Sequence, residues 1–212
     1  MADRFAPSKA RLDDDDDDGE GDGCGAEKQN KVGPEMLGRR LLEKRVVMVT
    51  KPVDRDLMSA IVAQLLVLDA DSHDPITMYI NCPGGDADSG FGIYDAMKFI
   101  ESPVTTVCMG LAASAAIIIF LGGEKGRRFS MPNSRFLIHQ PSSQAQGQAS
   151  DLEITAKEIL KTRDKYNDII AAETGVAAKA IVKDAHRDFW LSAKEAVEYK
   201  LADKLVVKAS EL

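Results

Sequence analysis

At 212 residues, 44% hydrophobic and 29% charged, the chain can bury one core of ordinary size and reads as a single globular domain. Its net charge of −7 leaves no basic face to hold phosphates, which excludes a nucleic-acid partner. No apolar stretch nears the roughly 20 residues of a membrane span, and residues 1–12 mix Asp3, Arg4, Lys9 and Arg11 without the apolar run of an export signal, so a cytoplasmic protein with no membrane partner is expected. Three cysteines, Cys24, Cys82 and Cys108, stand without CxxC spacing, which argues against a disulfide framework and against a metal site and fits a reducing compartment. Cys82 and Cys108, each inside an apolar run, read as small buried hydrophobes.

Residues 1–34 form an acidic, Gly-rich segment in which five cations face ten acids, six of them the consecutive aspartates Asp13 to Asp18. Their mutual repulsion and the scarcity of apolar side chains predict a disordered tail, either solvating or docking to a basic partner. The globular domain is expected over 35–212. There the pattern predicts a strand at 46–49, a helix at 54–68, a strand at 76–81, a helix at 89–100 after a Gly-rich turn, and a strand at 104–109. An apolar helix follows from about 112 to the Gly122-Gly123 stop. Short strands at 127–130 and 135–139 flank the turn Met131-Pro132-Asn133-Ser134. Ser150 to Glu153 has the form of a capping box, opening a helix that runs to Thr174 with Gly175 as its stop. At about 36 Å that helix exceeds what a domain this small needs internally, which implies contact with another subunit. A helix at 177–185, a segment at 189–192, a helix at 193–200 and a strand at 204–207 complete an α/β chain whose repeated strand-helix-strand units imply parallel pairing.

Four positions carry chemistry. Ser114 sits at the start of the apolar helix after Gly110-Leu111-Ala112-Ala113. There a serine either caps the helix or, with small neighbours leaving room, attacks a carbonyl. His139 ends a strand before Gln140-Pro141 and is either a half-buried strand-end imidazole or a general base. Asp188 directly precedes Phe189-Trp190, so it is either a solvated charge or a carboxylate shielded by large apolar side chains and able to orient an imidazole. Gly84-Gly85 after Pro83 makes either an ordinary turn or one whose bare N–H groups approach a ligand. The surroundings of Ser114 do not match the G-x-S-x-G elbow, and no G-x-x-x-x-G-K-[ST] nucleotide loop is present.

Taken in order, Tyr79-Ile80-Asn81-Cys82-Pro83-Gly84-Gly85, Cys108-Met109-Gly110-Leu111-Ala112-Ala113-Ser114, Met131-Pro132-Asn133-Ser134 through Ile138-His139-Gln140-Pro141, Gln146-Gly147-Gln148-Ala149 and Arg187-Asp188 with Leu191-Ser192-Ala193 resemble the Clp protease proteolytic-subunit family from about residue 36 to 207. The resemblance implies a crotonase-like fold of repeated ββα units with a long handle helix, in stacked heptameric rings enclosing a chamber. It implies a serine endopeptidase with Ser114, His139 and Asp188 as the triad and the backbone N–H groups of Gly85 and Ala115 as the oxyanion hole. Unfolded protein and peptide substrates would be fed by a Clp or AAA+ ATPase. ATP is then consumed by that partner, and no cofactor is bound by this chain.

Four departures from the family pattern stand out: Ala115-Ala116 after the nucleophile where Met-Gly is usual, Ser142-Ser143-Gln144 where a Gly-Gly pair is common, His186 in place of an acid before Arg187, and the aspartate-rich segment in place of an apolar N-terminal loop. They point either to rings mixed with a paralogous subunit or to an ATPase docked on one face only, and keep open an alternative, a weakly active or structural subunit. A second alternative is a crotonase-type acyl-CoA enzyme, for which Asp86 and Asp88 are the candidate carboxylates.

Overall fold

The computed structural model describes residues 33–142 and 146–212. The acidic segment up to Val32, with Cys24, and Ser143, Gln144 and Ala145 lie outside the described residues. The first element, helix α1 (Pro34–Glu43), has no counterpart in the sequence reading; Pro34 at its first position supplies a φ already set for a helix.

Strand β1 (Val46–Val49) and β2 (Ile76–Cys82) flank helix α2 (Arg55–Asp71), whose Asp54 cap accepts a hydrogen bond from the Leu57 N–H at 2.7 Å. Helix α3 (Ala87–Phe99) leads to β3 (Val104–Ala113), then α4 (Ala115–Leu121), β4 (Arg128–Ser130) and β5 (Arg135–Ile138). The chain closes with α5 (Ala149–Thr174), α6 (Ala178–Asp184), β6 (Phe189–Ser192), α7 (Ala193–Glu198) and β7 (Lys204–Leu205).

The sheet runs β1-β2-β3-β4-β7, all parallel, as strand-helix-strand alternation requires; β5 adds to β3, and β6 pairs antiparallel with β5. Strand β3 forks. Thr106 to Cys108 pair with β4, and Leu111 to Ala113 pair with β5. The strand therefore runs on to Ala113, four residues past the sequence expectation and into the expected helix, because β2 and β5 both offer it backbone partners there. At the fork Gly110 has φ 105°, and a Cβ on it would lie 3.1 Å from Asn81 Oδ1. The Ser134 hydroxyl binds both lips, accepting from the Gly110 N–H at 3.1 Å and donating to the Cys108 carbonyl at 2.9 Å.

Helix α4 is buried along its whole length, which explains why it is apolar on every side. Ile93 and Met97 of α3 and Ile170 of α5 belong to the same core, on helices that pack against α4, and Ile61 and Leu65 of α2 extend that core beyond α3. Each such side chain contributes roughly 1.5–3 kcal/mol by leaving water. Cys82 and Cys108 are free thiols inside this core, and burial pushes the Cys108 thiol up to about 12, so neither offers a thiolate.

Helix α5 has 26 residues, about 39 Å. It begins at Ala149 behind Gln148, with no side-chain cap, so the expected capping box does not form: Ser150 already lies inside the first turn. Gly175 ends it in the left-handed region at φ 73°. Only its later half enters the core, through Tyr166, Asn167, Ile170 and Thr174. That half is pinned by buried Arg128, whose guanidinium donates to the Gly123 carbonyl at 2.8 Å, to the Glu173 carbonyl at 3.2 Å and to the Glu173 carboxylate. Burial acts to raise the Glu173 carboxyl, but hydrogen bonds from Tyr94 and Arg128 outweigh it and hold the group below the usual carboxylate range.

Candidate active site

Ser114 occupies the single residue between β3 and α4, at φ 56° and ψ −124°. A non-glycine residue held there stores about 1–3 kcal/mol of backbone strain. Its surroundings enforce the conformation: the Ser114 N–H donates to the Leu137 carbonyl at 2.9 Å, and its carbonyl accepts from the Ile117 N–H at 2.9 Å and the Tyr166 hydroxyl at 3.2 Å. Its hydroxyl makes no cap bond to the helix, which removes the capping alternative. Helix α4 starts three residues later than expected, and Ser114 stands before its first turn instead of inside it.

The turn after β2 lies directly on this elbow. At Gly84, φ 88°, a Cβ would lie 2.4 Å from the Ala113 carbonyl oxygen and 2.6 Å from Ser114 Cβ, so only glycine lets the two segments meet. Gly85 forms a parallel bridge with Val53, made by the Val53 N–H to the Gly84 carbonyl and the Asp86 N–H to the Val53 carbonyl, both 2.8 Å. That pattern uses the N–H groups on either side and leaves the Gly85 N–H without a backbone acceptor among the described residues. The Ala115 N–H, at the first position of α4, is likewise unpaired with backbone.

Antiparallel register brings the other two side chains together. Ile138 pairs with Phe189, and the next step of the ladder sets His139 opposite Asp188, with Nδ1 and Oδ1 3.4 Å apart. The His139 side chain is 29% exposed and that of Asp188 65%. The expected shielding of Asp188 by its aromatic neighbours is therefore not found: Trp190 stacks beneath the Arg135 guanidinium at 4.7 Å, and Phe189 packs on Tyr199 at 5.3 Å. Gln140 Nε2 lies 3.1 Å from His186 Nδ1 beside the pair.

Ser114, Gly85, Ala115 and His139 line one cleft of about 540 Å³. Ser114 Oγ makes no hydrogen bond to His139 among the described residues; in enzymes without substrate this bond is commonly long and tightens on binding. Tyr166, from α5, also reaches the cleft. No motif marks it, because its role depends on a helix 52 residues away packing against the elbow.

The Clp protease family model matches residues 31–209. The chain belongs to the Clp protease family. It is 44% identical over 181 residues to ATP-dependent Clp protease proteolytic subunit 2 of Treponema pallidum, covering 85% of this chain and 91% of the relative. Identity to the proteolytic subunit 2 of Treponema denticola is 46% over 188 residues, covering 88% and 94%. Among solved structures, a variant of ClpP1 from Listeria monocytogenes superposes with a TM-score of 0.77 at 40% identity, covering 82% of this chain and 98% of that one.

The fold is thus of the ClpP type, and the protein is a proteolytic subunit of the Clp kind and a serine peptidase. Neither alternative from the sequence is favoured. For the acyl-CoA reading there is also a local reason: Asp86 is the cap of α3, accepting from the Ser89 N–H at 2.9 Å and hydroxyl at 2.5 Å. The Ser89 hydroxyl foremost holds its carboxyl below the ordinary range, unsuited to moving protons near neutrality. Among the described residues, no helix is long and apolar enough to cross a membrane.

Proposed function

We propose that Ser114 is the nucleophile of this peptidase, His139 its general base and Asp188 the carboxylate that orients the imidazole. Ser114 Oγ attacks the scissile carbonyl while His139 Nε2 takes its proton; the same proton then passes to the leaving amine, and water repeats the sequence on the acyl-enzyme. Asp188 at Nδ1 holds the proton on that nitrogen and leaves Nε2 to accept. The Gly85 and Ala115 N–H groups receive the oxyanion, and losing one such donor costs about 3–4 kcal/mol of barrier. What supports the reading above all is the elbow: a strained Ser114 with an uncapped hydroxyl, in one cleft with two backbone-unpaired amides and with His139, whose Nδ1 meets Asp188 outside that cleft.

Hydrolysis needs only water, so this subunit uses no cofactor. By the family's way of working, ATP is consumed by a hexameric Clp or AAA+ partner that threads unfolded polypeptide in the cytoplasm. The subunit itself joins copies of its own chain or a paralogue in stacked heptameric rings, with α5 at the ring-to-ring contact. The exposed Leu152, Ile154 and Leu160 on α5 support that contact, since apolar side chains on a long protruding helix gain from a second surface.

A fluorophosphonate probe mapped by mass spectrometry tests the nucleophile. Labelling is expected on Ser114, and Ser114→Ala is expected to lower peptide turnover about 10⁴-fold or more. An assembled, folded particle that stays unlabelled at Ser114 would refute the assignment.

A further inference from the structure

Ser114 and His139 follow the ends of two neighbouring strands, β3 and β5, so the reach of the imidazole to the hydroxyl depends on how those strands are registered. Their ladder is three pairs long, Leu111–Arg135, Ala112–Phe136 and Ala113–Leu137. A slip of one residue is normally prevented because it turns apolar side chains out to water. Here Phe136, Leu137 and Ile138 are all apolar and all buried, beside Ala112 and Ala113, so no alternation separates the observed pairing from its neighbours. We infer that Ser134, which lies outside the cleft, is a positioning residue for catalysis: its hydroxyl pins β5 to β3 and thereby sets the distance between Ser114 and His139, a role that rests on the catalytic reading above.

Ser134 is the residue before β5, and it is 2% exposed. Its hydroxyl accepts from the Gly110 N–H at 3.1 Å and donates to the Cys108 carbonyl at 2.9 Å, two β3 groups on opposite sides of the fork. Among the described residues no other side chain hydrogen-bonds the β3 backbone. A slip of one residue moves a strand about 3.3 Å along its neighbour, which breaks both bonds where water cannot replace them. The turn from Met131 to Ser134 closes on the same spot: the Met131 N–H donates to the Cys108 carbonyl at 3.0 Å, and the Ser134 N–H to the Met131 carbonyl at 3.1 Å. At the far end of the ladder the Ser114 N–H bonds the Leu137 carbonyl, so a register fixed at the fork is passed along the ladder to Ser114. Because β6 is hydrogen-bonded to β5, Asp188 travels with His139, and their contact does not resist the slip.

The test uses the assembled full chain with Ser134→Ala, Ser134→Cys and Ser134→Thr, each assayed well below its melting temperature. In Ser134→Ala kcat is expected to fall about tenfold or more with KM within about twofold, since a misplacement on the order of 1 Å costs up to about 10²-fold in rate. Fluorophosphonate labelling of Ser114 should slow in proportion, and the pH midpoint of kcat should hold, because His139 and Asp188 move together. Ser134→Thr, which keeps the hydroxyl, should restore most of the rate. Ser134→Cys, similar in size with a weaker donor, should fall between the two and takes the place of the alanine variant should that one fold poorly. A kcat within about twofold of the unaltered protein in the alanine or cysteine variant, with only the melting temperature lowered, would reduce Ser134 to a structural role and overturn the inference. Turnover that survives Ser114→Ala would instead count against the catalytic reading. The register is then read from a crystal structure of the alanine or cysteine variant, expected to show β5 displaced along β3; Ala113 still opposite Leu137 there would overturn the inference by itself.

Discussion

The two halves of the proposed active site are built from different material. Ser114 is gripped by a β3–β5 ladder bond, a Gly84 turn pressed against it, a fully buried α4 and the Tyr166 hydroxyl from α5. His139 and Asp188 sit at the open end of a four-residue antiparallel pair, with Asp188 mostly in water. The proposed nucleophile thus inherits its geometry from the core, while the proposed acid owes its position to one ladder step and a single long contact. Core packing fixes a strained backbone cheaply in entropy because its neighbours are already ordered. An exposed pair gains little from Coulomb attraction alone, so the acid half depends on exclusion of water when substrate arrives.

The largest effect should come from the exposed half. Asp188→Asn is expected to lower kcat by about 10³–10⁴-fold by favouring the wrong imidazole tautomer. Its melting temperature should barely move, since surface substitutions usually stay within about 0.5 kcal/mol; calorimetry beside a peptide assay reads both, and a loss of activity under tenfold would show that Asp188 does not orient His139. Gly84→Ala should behave in the opposite way. Its Cβ meets backbone at 2.4 Å and φ is 88°, so the elbow must shift, with activity falling about 10²-fold or more and stability dropping by several kcal/mol. Unchanged stability in that variant would show that the grip on Ser114 is not steric. Smallest is Tyr166→Phe, which removes one hydrogen bond to the Ser114 carbonyl. The expected loss is about 1 kcal/mol in stability and roughly fivefold in kcat with KM little changed. Burial raises the Tyr166 hydroxyl, so it stays a donor, and this loss should not vary across neutral pH.

Element type was legible where a periodic run met its own punctuation. The Asp54 cap, the Gly175 stop and the alternation from β1 to α3 are local events, and the helices and strands they bound lie within a few residues of expectation. Boundaries failed where a distant partner decided them. Strand β3 reaches Ala113 because β2 and β5 supply ladders there. Helix α1 carries local signals too, Pro34 at its start and an apolar stripe of Met36, Leu37, Leu41 and Leu42, but Met36, Leu37 and Leu41 are exposed and Leu42 packs on the core.

By itself the sequence determined the α/β class, the free buried cysteines, the long helix and, through the order of its motifs, the family and the residues worth watching. Only the tertiary structure decided that Ser114 is strained and uncapped, that Gly84 touches it, that Asp188 stands in solvent and that Glu158 shares the cleft with Asp86 and Asp88. The physical reason is one of range. Caps, turns and periodicity act over a few residues of chain, whereas strain, exposure and the company a side chain keeps are set by whatever the fold packs beside it.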